Sequence, residues 1–265
     1  MRVGVIGLGV VGSAVYNGFK KLGHVVLGHD IKLNTSLEDL QNTDLCFICV
    51  PTPSREDGSC DISIVEQVVV DLISKNYEGV ICIKSTVTPG TTKKLQDKHS
   101  YKNICFVPEF LKERSAEDDF INKHDLCVIG TSSLPIYELV RDCHGHYPKK
   151  FKMLFETEAE LCKYFNNTYN ATLVTFANSF YEVCKKLDCD YSKIKNAMIS
   201  RNHINDVYID CNESLRGFGG MCLPKDTKAL NNLIHELKLN IDFFGKILEE
   251  NNKYEVTVFN GMRKE

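Results

Sequence analysis

The segment GFGGMCLPKD, residues 217–226, brings a thiol, an ammonium group and a carboxylate into one short stretch of chain. Its glycines leave backbone uncovered by side chains, so a substrate could approach it closely. Cys222 stands just before a predicted helix, and the positive end of a helix favours a thiolate. Lys225 and Asp226 follow within one turn, where a carboxylate could handle a proton or a water. The segment indicates either an activated cysteine or a structural loop around a buried thiol.

A second glycine motif lies near the start of the chain. Gly7, Gly9 and Gly12 form G-x-G-x-x-G directly after an apolar run and at the start of a helical pattern. In that context the first glycine permits a tight turn, the second admits a pyrophosphate, and the third lets helix and strand pack closely. The helix N-terminus would bind the phosphates. The predicted cofactor loop comprises Gly7, Leu8, Gly9, Val10, Val11 and Gly12.

Asp30 ends the second apolar run, VVLGHD. A carboxylate at this position accepts hydrogen bonds from the adenosine ribose and repels a 2′-phosphate, which favours NAD over NADP. Lys32 is a nearby cation that could partly accommodate NADP. Asp30 could also simply begin a loop, but its place after the glycine motif favours the cofactor.

Composition and charge are ordinary for a globular protein. The 265 residues carry 32 Lys and Arg against 35 Asp and Glu, a net charge of −3. Nucleic-acid-binding proteins more often have a basic face, so no nucleic-acid partner is expected. No run approaches the roughly 20 apolar residues that span a bilayer, so no membrane partner is expected either.

The cysteines indicate a reducing compartment rather than a metal site. The first residues, MRVGVIGLGVVG, lack a cleavage site and predict a strand, so the 12 cysteines are expected to be reduced in a cytoplasm. Most stand in apolar runs, where a free cysteine acts as a small buried hydrophobe. Cys46 and Cys49 form C-x-x-C, but strand residues three apart point to opposite faces. No metal site is predicted.

Apolar runs of strand length alternate with helical patterns through the first part of the chain. The runs are RVGVI, VVLGHD, LCFICVP, GVICIKS, NICFVPEF and LCVIG. This alternation predicts an α/β fold, with a Rossmann-type parallel sheet in residues 1–150 and a helical domain in residues 151–265. One long helix is predicted over 157–187, with apolar residues on more than one side. The end of the chain is predicted to be helical, although YEVTVF has some strand character.

Several segments resemble, in the same order, motifs of the UDP-glucose/GDP-mannose dehydrogenase family. GFGGMCLPKD is similar to its G-[FY]-G-G-x-C-[FL]-x-K-D loop, and GLGVVG to its cofactor loop. VPTPSREDGSCD and KSTVTPGTT resemble V-x-T-P-x and K-S-T-V-x-x-G-T. VPEFLKERSAEDDF resembles N-P-E-F-L-x-E-G-x-A-x-x-D. AELCKYFNNTYNATLVTFANSF resembles the segment that begins A-E-[LM]-x-K-x-x-x-N.

The resemblance implies a four-electron oxidation of the primary alcohol of a nucleotide sugar to a carboxylate, using two NAD. Cys222 would capture the aldehyde as a thiohemiacetal, which then becomes a thioester. Lys163 and Asn167, four residues apart on one helix face, would polarise oxygens on the reacting carbon. Asp226 would position or deprotonate a water, and Glu109 would assist proton transfer or thioester hydrolysis.

The resemblance also implies binding roles. Thr86 and Glu113 would line the nicotinamide and sugar site. The expected cofactor contacts outside the glycine loop are Asp30, Val50, Thr52, Pro53, Ser85, Glu113 and Lys225. The expected substrate contacts are Phe110, Leu111, Lys163, Asn167, Gly217, Phe218 and Gly219.

The sequence also departs from the family pattern. Family members normally continue into a third domain that holds much of the nucleotide, and this chain ends at Glu265, so a short form lacking that domain is expected. Tyr208 stands where the family has the Arg of D-x-R-I, which reaches the partner subunit's substrate. Arg114 replaces a glycine in PEFLKER, and the approach SLRGFGG is shorter.

The main expectation is an NAD-dependent nucleotide-sugar 6-dehydrogenase acting on a substrate like UDP-glucose. A two-electron β-hydroxyacid-type dehydrogenase is an alternative, but its chemistry needs no thiol at Cys222. A non-catalytic NAD-binding relic or partner subunit of the larger enzyme is another. The resemblance, together with the broad apolar surface of the 157–187 helix, predicts a homodimer through that helix.

Overall fold

The computed structural model describes residues 1–257 and divides the chain into two compact units. The first unit comprises Met1–Pro53 and Cys60–Lys163. The second comprises Ser54–Ser59 and the chain from Tyr164 onward. The unit division falls inside the longest helix rather than in a flexible linker.

The first unit contains a seven-stranded sheet with the order β2-β1-β3-β4-β5-β6-β7. The strands are β1 (Arg2–Ile6), β2 (Val25–His29), β3 (Leu45–Ile48), β4 (Val80–Ile83), β5 (Ile104–Phe106), β6 (Cys127–Gly130) and β7 (Phe151–Leu154). The predicted parallel pairing is confirmed for β1 to β5. It is wrong for the last two strands, because β6 pairs antiparallel with β5 and parallel with β7.

Helices cover both faces of this sheet, which explains why its central strands are apolar at nearly every position. They are α1 (Val10–Lys21), α2 (Ser63–Ser74), α3 (Thr91–Lys98), α4 (Ala116–Ile121) and α5 (Leu134–His144). One face forms a core around Phe19, Phe47 and Phe120, and the other forms a core around Ile81 and Leu95. The Rossmann-type fold expected from the sequence is therefore present.

The second unit is helical, as predicted. Its helices are α6 (Glu156–Lys186), which begins in the first unit, α7 (Tyr191–Met198), α8 (Leu223–Glu236) and α9 (Phe243–Asn251). The long helix expected over 157–187 is confirmed as α6. The pattern change near residue 150 falls at the start of β7, the last strand of the sheet. Residues 254–257 of YEVTVF form neither helix nor strand, and the rest of that segment lies outside the described residues.

The predictions about cysteine placement and metals can be compared with the structure. Cys46 belongs to one face of the sheet and Cys49 packs against the other, so the opposite-face prediction is confirmed. Among residues 1–257, no group of His, Cys, Asp or Glu side chains is arranged to hold a metal ion. Within the same range, no helix is both long and apolar enough to cross a membrane.

Helix α6 has two apolar faces of opposite environment. Tyr164, Ala171, Ala177 and Cys184 are buried. The stripe that the sequence makes most prominent is largely solvent-exposed; its exposed members are Leu161, Phe165, Phe176, Phe180, Val183 and Leu187. An exposed apolar stripe of this length indicates a surface that another element covers.

Buried carboxylates attach the first turns of α6 to the sheet unit. Glu160 is fully buried and accepts hydrogen bonds from Gly90 N at 2.5 Å, Thr92 N at 2.8 Å and Thr92 Oγ1 at 2.6 Å. It thereby satisfies free N–H groups at the start of α3, where a negative charge is favourable. One turn earlier, Glu156 accepts from Gln96 Nε2 and from Ser132 N. The start of α6 is therefore fixed by charge-assisted hydrogen bonds.

We expect Glu160→Gln to lower the free energy of unfolding by about 1–3 kcal/mol, because an amide cannot accept from all three donors. Burial raises the pKa of Glu160. The folded chain therefore binds this proton more tightly than the unfolded chain, and the stability that results is complete below the unfolded pKa and is lost as the pH rises through the folded pKa. The gap between wild type and variant should widen from pH 7.5 to pH 5.

Urea unfolding at several pH values measures this gap, and Glu138→Gln, an exposed change on α5, is the matched control. A gap that is constant with pH, or equal to that of the control, would contradict the prediction.

Candidate active site

The G-x-G-x-x-G loop has the tight geometry that the sequence predicts. Gly7 adopts φ +84°, and a Cβ there would lie 2.7 Å from Cys49 O. A Cβ on Gly12 would lie 1.8 Å from Gly7 O, so strand and helix contact each other directly. A Cβ on Gly9 would meet nothing within 4 Å. The loop is thus closed on the protein side and open at Gly9, beside the N-terminus of α1, which suits the pyrophosphate of a dinucleotide.

Asp30 lies at the end of β2 and binds this loop. Its carboxylate accepts from Lys32 N at 2.9 Å and from Leu8 N at 2.8 Å. These amide donors, that of Lys32 first, lower the pKa of Asp30 below its usual value. The group is therefore a carboxylate across the neutral range and retains lone pairs for a ribose diol.

The other predicted cofactor residues of the first unit follow β3 and β4. Ser85 Oγ donates to Val50 O at 2.7 Å and so ties the ends of the two strands together. Thr52 is buried, and Cys60 Sγ donates to Thr86 O at 3.5 Å. Pro53 closes the first segment of this unit. All of these residues lie at the carboxyl ends of parallel strands, where ligands of open α/β sheets bind.

Lys163 and Glu109 form a buried ion pair. Lys163 Nζ donates to Glu109 Oε1 and to Glu109 O, each at 2.7 Å, and the two side chains are 4% and 10% exposed. Glu109 also accepts from Leu111 N at 2.8 Å, which shapes the PEFL turn. Phe110 and Leu111 are half-buried in that turn, and Glu113 begins a short 3₁₀ turn after it. The sequence placed Lys163 and Glu109 in one mechanism without predicting that they touch.

In the second unit, Asp226 is fully buried and bound by two partners. Asn167 Nδ2 donates to Asp226 Oδ2 at 2.6 Å, and Lys225 Nζ donates to Asp226 Oδ1 at 2.5 Å. The Asn167 carbonyl accepts from Asn166 Nδ2 at 3.0 Å, which fixes the orientation of the amide. Asp226 is therefore held as an oriented carboxylate on the first turn of α8.

Cys222 lies at the N-terminal cap of α8, as the sequence predicts, and its side chain is exposed. Cys222 O accepts from Asp226 N at 2.9 Å, so thiol and carboxylate belong to the same helical turn. Other cysteines differ in environment: burial raises the pKa of both Cys49 and Cys127 to about 12, which keeps those thiols unreactive. Exposure and a helix N-terminus set Cys222 apart from these thiols.

The glycine-rich loop before Cys222 is held by two buried asparagines that the sequence did not single out. Asn178 Oδ1 accepts from Gly217 N, and Asn251 Oδ1 accepts from Phe218 N at 2.7 Å. Phe218 itself is buried. Only the family-like ending of the α6 segment, FANSF, contained a signal for Asn178, and no sequence signal pointed to Asn251.

The structure thus groups the predicted residues in two sets. The first unit contains the cofactor loop, Asp30, the residues after β3 and β4, the PEFL turn and Lys163. The second contains Asn167, the loop 217–220, Cys222, Lys225 and Asp226. Lys163 and Asn167 are one turn apart on the uninterrupted helix α6. The departures noted in the sequence lie at the surface, where Tyr208 adopts φ +62°.

Comparison with known proteins identifies the family. Residues 31–147 match the NAD binding domain of the UDP-glucose/GDP-mannose dehydrogenase family, and residues 157–253 match its central domain. A UDP-glucose 6-dehydrogenase of Rickettsia typhi is 33% identical over 232 residues, which is 82% of this chain and 51% of that protein. The chain therefore spans about half the length of the first curated relatives that it matches.

Solved structures give the same result. The structure of a UDP-glucose dehydrogenase from the hyperthermophilic archaeon Pyrobaculum islandicum has a TM-score of 0.88 at 28% identity, covering 95% of this chain and 68% of that one. A 3-hydroxyisobutyrate dehydrogenase of Mycobacterium tuberculosis has a TM-score of 0.75 at 13% identity, covering 95% and 92%. The second likeness shows the fold alone. With both domains matched in order, the chain belongs to the UDP-glucose/GDP-mannose dehydrogenase family.

Proposed function

We propose that this chain carries out the NAD-dependent oxidation of the primary alcohol of a nucleotide sugar, such as UDP-glucose, to the carboxylate. The observation that carries this proposal is Cys222 at the start of α8, one turn from a buried Asp226 that Asn167 and Lys225 hold. A two-electron alcohol oxidation needs no such thiol. The names of the relatives support the substrate class.

Bound at the glycine loop and Asp30, NAD would accept a hydride from the reacting carbon twice, once from the alcohol and once from the thiohemiacetal on Cys222. The Cys222 thiolate adds to the carbon of the intermediate aldehyde, forming a C–S bond and an alkoxide that takes up a proton. The second oxidation leaves a thioester. Water then attacks its carbonyl, the C–S bond breaks, and the thiol is restored. Per sugar, two NAD⁺ and one water give two NADH, the carboxylate and three protons.

Asp226 would act in the hydrolytic step. A water that donates to its carboxylate would be oriented toward the thioester and would lose a proton as it attacks. The hydrogen bond from Asn167 and the ion pair with Lys225 keep this carboxylate charged and immobile. The four-residue spacing of Cys222 and Asp226 on α8 would place a water between nucleophile and base.

Lys163 and Asn167 would stabilise the oxygen on the reacting carbon. Both project from α6 one turn apart, and an ammonium and an amide N–H are suitable donors to a developing alkoxide. Glu109, which pairs with Lys163 at 2.7 Å, would exchange a proton with it as the alcohol is oxidised. Thr86, Glu113, Phe110 and Leu111 would line the sugar and nicotinamide, and Lys225 would also contact the cofactor.

We also propose that the active form is a homodimer built on α6. The exposed stripe runs from Leu161 to Leu187, roughly 40 Å along the helix axis. A second copy presents the same stripe, so two such helices can bury their aromatic and aliphatic side chains against each other in a self-complementary contact. A patch of this size is unusual on a monomer.

For the cofactor, we expect Asp30→Ala to weaken NAD binding about tenfold and to change NADP binding little, because the carboxylate binds the ribose diol and repels a 2′-phosphate. Asp30→Asn keeps an acceptor for Leu8 N and separates loop support from ribose binding. Calorimetric titration with both cofactors measures the effect, and equal losses for NAD and NADP would remove Asp30 from the ribose site.

For the chemistry, wild type incubated with NAD and a panel of nucleotide sugars should yield two NADH per sugar. Cys222→Ala should bind NAD normally but lose turnover by at least about a thousandfold. Asp226→Asn should accumulate a thioester visible by intact-mass spectrometry. One NADH per substrate together with an unaffected Cys222→Ala variant would indicate the β-hydroxyacid type of reaction instead. NAD binding without turnover of any sugar would indicate a non-catalytic chain.

For the assembly, multi-angle light scattering at micromolar concentration should give twice the 30.0 kDa of the chain. Phe176→Glu should shift the protein to monomer, because burying an unpaired carboxylate in an apolar contact is costly. Ile64→Glu, at an exposed apolar position on α2, is the matched control and should remain dimeric. A 30 kDa wild-type particle would contradict the proposed dimer.

A further inference from the structure

We infer that the segment 251–257, which follows α9, positions the cysteine loop, and that Asn251 is the principal positioning residue for Cys222. The inference rests on the proposed function for its meaning in catalysis. It concerns the second unit alone. Nothing in the family motif of the loop predicts that this distant segment holds it.

Asn251 binds the main chain of Phe218 in both directions. Its Oδ1 accepts from Phe218 N at 2.7 Å, and its Nδ2 donates to Phe218 O at 3.0 Å. Both residues are buried. A side-chain amide that replaces both partners of a buried peptide group fixes that group in position and orientation, and losing it would leave two buried polar atoms unpaired.

Thr257 binds the preceding residue in the same two-way manner. Thr257 N donates to Arg216 O at 3.0 Å, and Arg216 N donates to Thr257 Oγ1 at 2.7 Å. Between these two contacts, Val256 packs on the loop so closely that a Cβ on Gly219 would lie 2.1 Å from Val256 Cγ1. The segment thus contacts the loop at three successive points, from Arg216 to Gly219.

The Arg216 side chain joins this segment to α6. Its guanidinium lies 4.6 Å from the ring centre of Tyr254 and 4.9 Å from that of Tyr181, and its Nε donates to Asn178 Oδ1 at 2.8 Å. It also pairs with Glu182. The stacked cation and its hydrogen bonds hold the segment and the loop entrance to the same surface of α6.

A glycine-rich loop requires such external support. Gly217 and Gly220 adopt φ +47° and +74°, and unsupported glycines sample many conformations. Cys222 follows within two residues, so the position of its thiol relative to the start of α8 depends on how firmly the loop is held. Loosening Phe218 would let the thiol leave the N-terminus of α8 for part of the time and would reduce its reactivity.

Alkylation of the full-length chain by iodoacetamide tests this inference, with rates for each cysteine read by peptide mass spectrometry from pH 6 to pH 9. Asn251→Asp keeps the acceptor for Phe218 N but places a carboxylate against Phe218 O. We expect the rate at Cys222 near neutral pH to fall at least about threefold relative to that at exposed Cys189. Asn252→Asp, the same charge change at the exposed neighbouring residue, should match wild type.

A second variant covers the case in which Asn251→Asp fails to fold. Thr257→Val preserves shape, removes the acceptor for Arg216 N and should slow alkylation at Cys222 in the same direction. Buried Cys184 and Cys211 report unfolding, because they should stay protected in every variant that is used. Rates at Cys222 that equal those of the Asn252→Asp control in both variants would overturn the inference.

This measurement needs no turnover, so it separates the inference from the proposed function. Where wild type oxidises nucleotide sugars, Asn251→Asp should lower kcat with a smaller change in KM, since the nucleophile rather than the binding surface is displaced. Slower alkylation in a chain that oxidises no sugar would refute the proposed function and still support the positioning role of Asn251.

Discussion

The attachment of helix α6 by buried charge is the constraint on which the functional groups depend. Glu160 binds the start of α3, and Lys163 binds Glu109 on the turn after β5, both away from water. The helix continues without interruption to Lys186, and Asn167 holds Asp226 one turn later. The spacing of Lys163 and Asn167 is thereby set by helix geometry, which varies little, rather than by loop conformation.

Burying such groups is expensive, and their presence indicates a use beyond stability. An ion pair as buried as Lys163 and Glu109 rarely stabilises a fold more than apolar residues of similar volume would. The same holds for Asp226, fully buried between Asn167 and Lys225. Oriented charges in a protected site can, however, act on a reacting oxygen or a water with no further rearrangement. The energetic cost of these groups is therefore consistent with the chemistry proposed for them.

The two glycine loops achieve order in different ways. The loop from Gly7 to Gly12 is fixed by close backbone contacts, because no side chain fits between strand and helix. The loop from Gly217 to Gly220 is fixed by other side chains, above all Asn178 and Asn251, and by the segment after α9. The first arrangement leaves a rigid cradle for phosphates. The second makes the position of Cys222 sensitive to residues more than 25 positions away in sequence.

The sequence by itself determined the elements and the chemical groups. The glycine spacing after a first strand, the apolar runs and the long period of α6 predicted the Rossmann-type unit and the helical unit, because these signals are local. The residues with functional chemistry were found through spaced motifs. The tertiary structure alone decided their partners: the Lys163–Glu109 pair, the Asn167–Asp226 bond, the Asn251 support of Phe218 and the reversed direction of β6 and β7. It also decided which apolar face of α6 is buried. These contacts join residues far apart in the chain, and local periodicity carries no information about which distant groups fold against each other.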